Sequence, residues 1–342
     1  MDAGVPDGSV PRSTLAHPVE HRLESIEPTR DRLLPRFRDT DSGGPARMRA
    51  LLSQGRLVVL PGAYDALSAR IVEAAGFEAI YLSGSGVSAS HLGVPDLGVL
   101  TATDMETVAR HVVQVVSTPV IVDVDTGYGG PFNVHSATRT LEGAGVAGIH
   151  LEDQAIPKRC GHYDGKHLVD AQTMVGKIRM AVDARRDADF LVIGRTDAVA
   201  VEGLESAIER CLAYLAAGAD LVFADALRTI PDIERFAAAV SGPKALTLGG
   251  YRRTPLTPRV DFGRLEDMGY QMVILPLAML RAAARAAWDL AAGLRQIGIA
   301  AESDFIREVS SHPVGDWYHF LGLDEYEQVE ARYVPAGEDT GP

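Results

Sequence analysis

From Leu57 onward, short apolar and β-branched runs alternate with stretches of helical spacing. The runs cover residues 57–61, 79–83, 120–125, 148–152, 190–195, 221–225, 245–248 and 272–275. Runs of this length, bounded by turn-forming residues, read as buried strands. Between them, residues 63–75, 103–116, 133–144, 171–184, 204–217 and 262–268 repeat apolar positions at three- and four-residue intervals, the spacing of amphipathic helices. Gly76, Gly145, Gly218 and Gly269 stand where these helices must stop and left-handed backbone is needed. Eight strand–helix units predict an α/β chain folded as a (β/α)8 TIM barrel. The competing architecture is an open doubly wound sheet, whose first strand is followed by a glycine-rich dinucleotide turn. Here that strand runs into Pro61-Gly62-Ala63-Tyr64-Asp65, and Ser83-Gly84-Ser85-Gly86 after the second run lacks the full spacing.

The flanks read differently. Residues 1–45 are rich in Pro, Arg, Asp, Glu, Gly and Ser without apolar periodicity, and are expected to form a flexible N-terminal extension. A short helix is predicted over 46–54. After the eighth run come an Ala-rich helix over 279–296 and a helical tail carrying Phe305, Trp317, Tyr318, Phe320, Tyr326 and Tyr333. Such an apolar tail outside a completed barrel is expected to cover either its own barrel or that of a partner subunit. The expected layout is therefore an extension over 1–45, a catalytic barrel over 46–298 and a C-terminal helical tail over 299–342.

Composition narrows the partners. The 342 residues carry a formal net charge of -13, which argues against nucleic acid, because a phosphate backbone needs a basic footprint. Cys160 and Cys211 are too few for a disulfide framework, so a reducing cytoplasm is the expected location. No apolar run reaches the ~18 residues of a membrane span, and the first ten residues lack a signal-peptide pattern.

Barrel active sites lie at the C-terminal ends of strands. Those ends read Ser83-Gly84-Ser85, Asp123 and Asp125, Glu152 and Asp153, Arg195 and Asp197, then Asp225. Several carboxylates near a barrel axis are costly without a counter-charge, and a hard divalent cation supplies one. Asp123 and Asp125, two apart on one strand, are expected to point to the same face, with Glu152 ending the next strand. Magnesium is the expected ion, with manganese as a substitute. Any one of these acids could instead cap a helix or pair with an arginine. Ser83-Gly84-Ser85-Gly86 is either a cradle of N–H donors for an oxyanion or a simple tight turn.

Lys158-Arg159-Cys160-Gly161-His162 follows the fourth run. Its cations are expected to favour the thiolate, and Gly161 permits loop motion. A thiol titrating near neutrality can exchange a proton with a carbanion. The alternative is a solvated basic loop with an incidental cysteine. Cys211, within the helix over 204–217, reads as core.

On these residues the chain resembles the isocitrate lyase and phosphoenolpyruvate mutase superfamily, over roughly residues 47–295. The shared motifs are Tyr64-Asp65-Ala66-Leu67-Ser68-Ala69, Ser83-Gly84-Ser85-Gly86, Asp123-Val124-Asp125-Thr126-Gly127-Tyr128-Gly129, Leu151-Glu152-Asp153-Gln154, Lys158-Arg159-Cys160-Gly161-His162 and Arg195-Thr196-Asp197-Ala198. Its methylisocitrate lyase, dimethylmalate lyase and carboxyphosphonoenolpyruvate mutase branches are the most similar. The resemblance implies a magnesium shell of Asp123, Asp125 and Glu152, and an oxo-acid cradle of Ser83, Gly84 and Ser85. It implies Arg195 as carboxylate clamp, Asp96 on a gating segment, Tyr64 near the substrate hydroxyl, and Cys160 as proton donor. Lys158, Arg159, Gly161 and His162 flank that thiol. It further implies a homotetramer with exchanged C-terminal helices.

The chain departs from the family pattern at two places. Asp225 stands where the lyases carry Glu at the sixth strand end. Thr247 and Gly250 stand where they carry Asn and Glu at the seventh, with Arg252 and Arg253 as new cations nearby. The expected activity is magnesium-dependent carbon–carbon cleavage of a 2-hydroxy di- or tricarboxylate, such as 2-methylisocitrate or an alkylmalate. Mutase-type P–C chemistry, hydrolysis of an oxaloacetate-like acid and non-catalytic carboxylate binding are the alternatives.

Overall fold

A computed structural model describes residues 43–161, 163, 165–249, 258 and 260–333. Eight parallel strands form the centre: β1 (Val58–Ala63), β2 (Ile80–Leu82), β3 (Val120–Asp123), β4 (Gly148–Glu152), β5 (Leu191–Thr196), β6 (Leu221–Ala224), β7 (Ala245–Thr247) and β8 (Met272–Leu275). Each pairs with its sequence neighbour and β1 pairs with β8. The remaining gap, between β6 and β7, is bridged at Val222 and Lys244, which makes the sheet a (β/α)8 barrel.

Two-residue periodicity sorts the strand side chains. Val58, Leu60, Tyr81, Ile121, Leu191, Ile193 and Phe223 pack together inside the barrel. Val122, Ile149, Val192, Val222 and Val273 belong to the layer beneath the helices. Helix α1 (Gly44–Leu52) inserts Met48 and Leu51 into the interior cluster. It starts two residues earlier than the spacing predicts, with Pro45 in its first turn.

The outer ring is α2 (Ala66–Ala74), α3 (Gly84–Val87) with a π-helical turn at Ser88–Leu92, α4 (Ala102–Val113), α5 (Pro131–Ala144), α6 (Ala171–Ala184), α7 (Leu204–Ala216), α8 (Ile230–Ala239) and α9 (Phe262–Asp267). Gly76, Gly145, Gly218 and Gly269 all have positive φ, as helix stops require. Helix α8 was not among the predicted helices. It is short and buries only Ile233 and Phe236, but Thr229 caps it through the Asp232 amide.

Beyond the barrel lie α10 (Ala278–Ile297), α11 (Ile299–Val309), α12 (Trp317–Phe320) and α13 (Leu323–Glu330). No residue of α10 or α11 is buried, and Trp288 is 74% exposed. Among the described residues the tail meets its own barrel at Arg70. Arg70 of α2 donates to the Phe320 carbonyl at 3.1 Å and lies 5.9 Å from the Phe320 ring centroid. No helix among the described residues is long and apolar enough to cross a membrane.

Candidate active site

The barrel's C-terminal mouth encloses a cavity of about 140 Å³. Its polar lining includes Ser83, Ser85, Asp96, Asp123, Cys160, Arg195, Asp225 and Thr247, contributed by separate strand ends and loops that the fold gathers.

Strand β3 delivers Asp123 but ends there. Asp125 is reached through a left-handed bend, φ 49°, so alternation along one strand does not explain the pair. The bend turns the Asp125 N–H onto Asp123 Oδ1 at 3.0 Å, and the Asp125 carbonyl accepts from the Glu152 N–H at 2.9 Å. Both contacts hold the three acids as neighbours. Asp123 Oδ2 also accepts from the Gly84 N–H at 3.2 Å. That amide therefore fixes an acid instead of standing free as a cradle donor, while Ser83 Oγ caps α3 through the Gly86 N–H.

Two basic side chains interleave with these acids. The Lys158 ammonium lies 2.6 Å from Asp125 Oδ1 and contacts Asp96. Arg195 reaches Glu152 at 3.2 Å, Asp225 at 3.1 Å and Asp197 through two hydrogen bonds of 2.9 and 3.0 Å. Consequently no three His, Cys, Asp or Glu side chains converge as a closed metal cage among the described residues. Unmet demand nonetheless remains. Asp125 Oδ1 and Glu152 Oε1 are buried and accept no well-formed hydrogen bond. Burial drives the Asp125 carboxyl up to about 7, with Asp123 and Asp96 adding to the rise against the opposing pull of Lys158. Burial also pushes Glu152 well above the usual carboxylate range. A Glu152 oxygen without a partner, beside two buried carboxyls raised above their usual range, fits a divalent cation, whose charge would favour their ionised form.

Asp197 behaves oppositely. Burial alone would raise it, but Arg195 and Lys166 pull it far below the usual range, fixing it as a carboxylate. Its backbone N–H donates to Asp153 Oδ1 at 2.9 Å, and Asp153 Oδ2 accepts from Thr196, Tyr214 and Arg210. Asp153 is thus a brace behind the cavity. Lys166 and Asp197 were not singled out by the sequence for these parts.

Tyr64 and Tyr81 occupy different places at the mouth. Tyr64 is absent from the cavity lining and sits behind Gly86, where an added Cβ would come within 3.0 Å of its own Cβ. Tyr81 lines the cavity, with its hydroxyl 2.8 Å from His150 Nδ1. Burial pushes its phenol well above 10 and drops His150 to about 4. At neutral pH the cavity therefore meets a protonated phenol backed by an uncharged imidazole. Alternation could have found Tyr81, two residues before Ser83 on the same inward face.

The cysteine loop is seated into the mouth. The Cys160 N–H donates to the Asp96 carbonyl at 3.2 Å, and Cys160 lines the cavity with 7% exposure. Gly161 lies so close to the Arg195–Asp225 pair that a Cβ there would fall 1.8 Å from Asp225 Oδ2. The two cations expected to bias the thiol are directed elsewhere. Lys158 is engaged by Asp96 and Asp125, while Arg159 is exposed and absent from the lining, its backbone paired with the Gln154 side chain. His162 lies outside the described residues, as do Gly250, Arg252 and Arg253. The described part of the opposite wall is largely apolar: Leu248, Ile274, Leu275, Leu277 and Ala278, with Arg281 of α10.

Residues 48–295 match the phosphoenolpyruvate phosphomutase family. Over 291 residues the chain is 40% identical to the 2,3-dimethylmalate lyase of Eubacterium barkeri, covering 84% of this chain and 98% of that protein. It is 46% identical over 235 residues to a probable 2-methylisocitrate lyase of Corynebacterium glutamicum, 69% of this chain and 76% of that one. Among solved structures, a 2,3-dimethylmalate lyase superimposes with a TM-score of 0.79 at 36% identity, over 88% of this chain and 98% of the other. An oxaloacetate acetylhydrolase in complex with 3,3-difluorooxalacetate superimposes with a TM-score of 0.79 at 34% identity, over 86% and 98%. A phosphonopyruvate hydrolase in complex with oxalate and Mg²⁺ gives 0.75 at 32% identity, over 85% and 99%. The chain belongs to this family, and its relatives of 37–46% identity over most of its length make it an enzyme of the carbon–carbon lyase kind.

Proposed function

We propose that the chain cleaves the C2–C3 bond of a 2-hydroxy dicarboxylate carrying an alkyl substituent, giving an α-oxo acid and a second carboxylic acid. The observation that carries this reading is one cavity with Arg195 and the buried acids on one side, Cys160 above, and an apolar wall opposite. Asp123, Asp125 and Glu152 would hold magnesium, or manganese in its place; a bound divalent ion would polarise the oxygen on C2 and stabilise its negative charge.

The chain's own groups supply the rest. Arg195, oriented by Asp197, binds the carboxylate of the oxo-acid end, and Ser83 and Ser85 border it. Tyr81 donates a hydrogen bond from its protonated phenol. Asp225 faces the cavity beside Arg195 and accepts the proton of the C2 hydroxyl. As the C2–C3 electrons leave, C2–O becomes a carbonyl and C3 carries the enolate pair. The Cys160 thiol delivers its proton to C3, so one proton leaves the substrate and one returns. The seated loop limits water at that carbanion. The apolar wall with Arg281 suits a second fragment of one carboxylate plus alkyl groups, so 2,3-dimethylmalate-like acids rank above tricarboxylates such as 2-methylisocitrate.

In assembly we propose a homotetramer built through the tail, supported by the exposed Trp288, Ile297, Ile299 and Ile306. Two free thiols, Cys160 and Cys211, suit the cytoplasm.

An oxo-acid assay over alkylmalates and 2-methylisocitrate with magnesium tests the reaction. Pyruvate or a related oxo acid is expected. Oxalate and acetate from oxaloacetate, with no oxo acid from any 2-hydroxy acid, would instead assign hydrolysis; phosphonate formation would assign mutase chemistry.

A further inference from the structure

Lys166 follows the cysteine loop and carries no role in the reaction described above. Its side chain is 1% exposed and its ammonium makes two contacts. One is a short hydrogen bond to the Gly161 carbonyl, beside Cys160. The other is a 3.0 Å ion pair with Asp197 Oδ1. Asp197 in turn grips Arg195 through two hydrogen bonds and is itself held by Asp153 through its backbone N–H. A buried lysine is costly to desolvate, and a solvated loop has no need of one.

We propose that Lys166 is a positioning residue, a latch that ties the seated conformation of the cysteine loop to the braced Arg195–Asp197 pair. The geometry has three parts. Gly161 approaches Asp225 and Arg195 too closely for any side chain, so the loop seats through its backbone. The Gly161 carbonyl accepts the latch bond. Asp197, a fixed carboxylate, anchors the other end and does not move with the loop. Lys158 tethers the loop's start to Asp96 and Asp125, so the loop is pinned on both sides of Cys160. The Lys158 tether lies among the acids assigned to the metal; the Lys166 tether does not, and so it reports on loop position separately.

The test measures loop seating apart from turnover, and only its turnover arm rests on the lyase reading. Iodoacetamide alkylation of Cys160 is followed by peptide mass in the full-length protein and in Lys166→Met. The variant is expected to alkylate about tenfold faster or more, since opening then has no latch to break. In the same variant kcat for the alkylmalate substrate is expected to fall about 100-fold while KM moves far less, the signature of lost positioning. A variant that folds but keeps both the wild-type alkylation rate and kcat overturns the latch. Faster alkylation with no cleavage activity in either protein would sustain the latch and refute the lyase. Should Lys166→Met fail to fold, unmodified protein answers instead. Reductive methylation of Lys166 should accelerate about tenfold once N-ethylmaleimide on Cys160 has displaced the loop. An unchanged methylation rate overturns the proposal.

Discussion

The two ends of the cavity are built on opposite terms. At the ends of β3, β4 and β5, the acids Asp123, Asp125, Glu152, Asp153 and Asp197 and the basic Lys158 and Arg195 are locked by backbone and side-chain bonds, from Asp125 N–H to Asp123 through to Asp197 N–H to Asp153. At β7 and β8 the described wall is Leu248, Ile274, Leu275 and Leu277, with Thr247 and Arg281 as its polar members. The first end is over-determined: moving any one charge leaves another buried and unpaired. The described part of the second offers mainly shape and apolar surface, where each methylene contributes little and exchange of side chains is tolerated. In the proposed reaction the first end sets the reaction class, and the described part of the second adjusts preference among alkyl substituents.

The largest effect expected of breaking the first end comes from metal removal. Chelation should abolish cleavage, with magnesium or manganese restoring it, and the restored protein should melt at a higher temperature because the ion binds the folded state. No change in either activity or melting on chelation would detach Asp123, Asp125 and Glu152 from a metal. Cys160→Ser should lower turnover about 1000-fold or more, yet leave oxalate binding, read by calorimetry, within about twofold. Retained turnover would remove the thiol from the mechanism.

Gly161→Ala probes the seam between the ends. Its Cβ would fall 1.8 Å from Asp225 Oδ2 and 2.2 Å from Arg195 Nη2, so the loop cannot seat. A drop in kcat of about 100-fold is expected with the melting temperature little changed. At the second end, Leu277→Ala should raise KM for an alkyl-bearing substrate about tenfold, from roughly 1–3 kcal/mol of lost apolar contact, while oxalate affinity holds. Equal losses for oxalate would erase the distinction between the two ends. Smallest of all, Thr101→Ala removes the α4 N-cap, far from either end, and should cost about 1 kcal/mol of stability without touching catalysis.

The same contrast explains what the sequence could disclose. The barrel was legible because strands and helices impose periods of two and 3.6 residues, and because helix stops such as Gly145 need positive φ. The strand-end acids were legible by position. Their mutual geometry was not, because Asp125 reaches Asp123 through a left-handed bend that alternation does not describe. Tyr64 stands in a motif, whereas Tyr81, inward by simple alternation, lines the cavity. The destinations of Lys158, Arg159 and Lys166 depend on how a loop folds back on the mouth, and no local period encodes that.

Bond cleavage and protonation by Cys160 can be read in one experiment. Running 2,3-dimethylmalate and its analogues with magnesium in D₂O, with products followed by NMR, tests both together. Pyruvate or a related α-oxo acid is expected, with a second carboxylic acid bearing a single deuterium at the carbon released from C2, and both are lost in Cys160→Ser. Absence of an α-oxo acid across the whole panel of 2-hydroxy acids, from folded protein with metal present, would contradict the proposed cleavage.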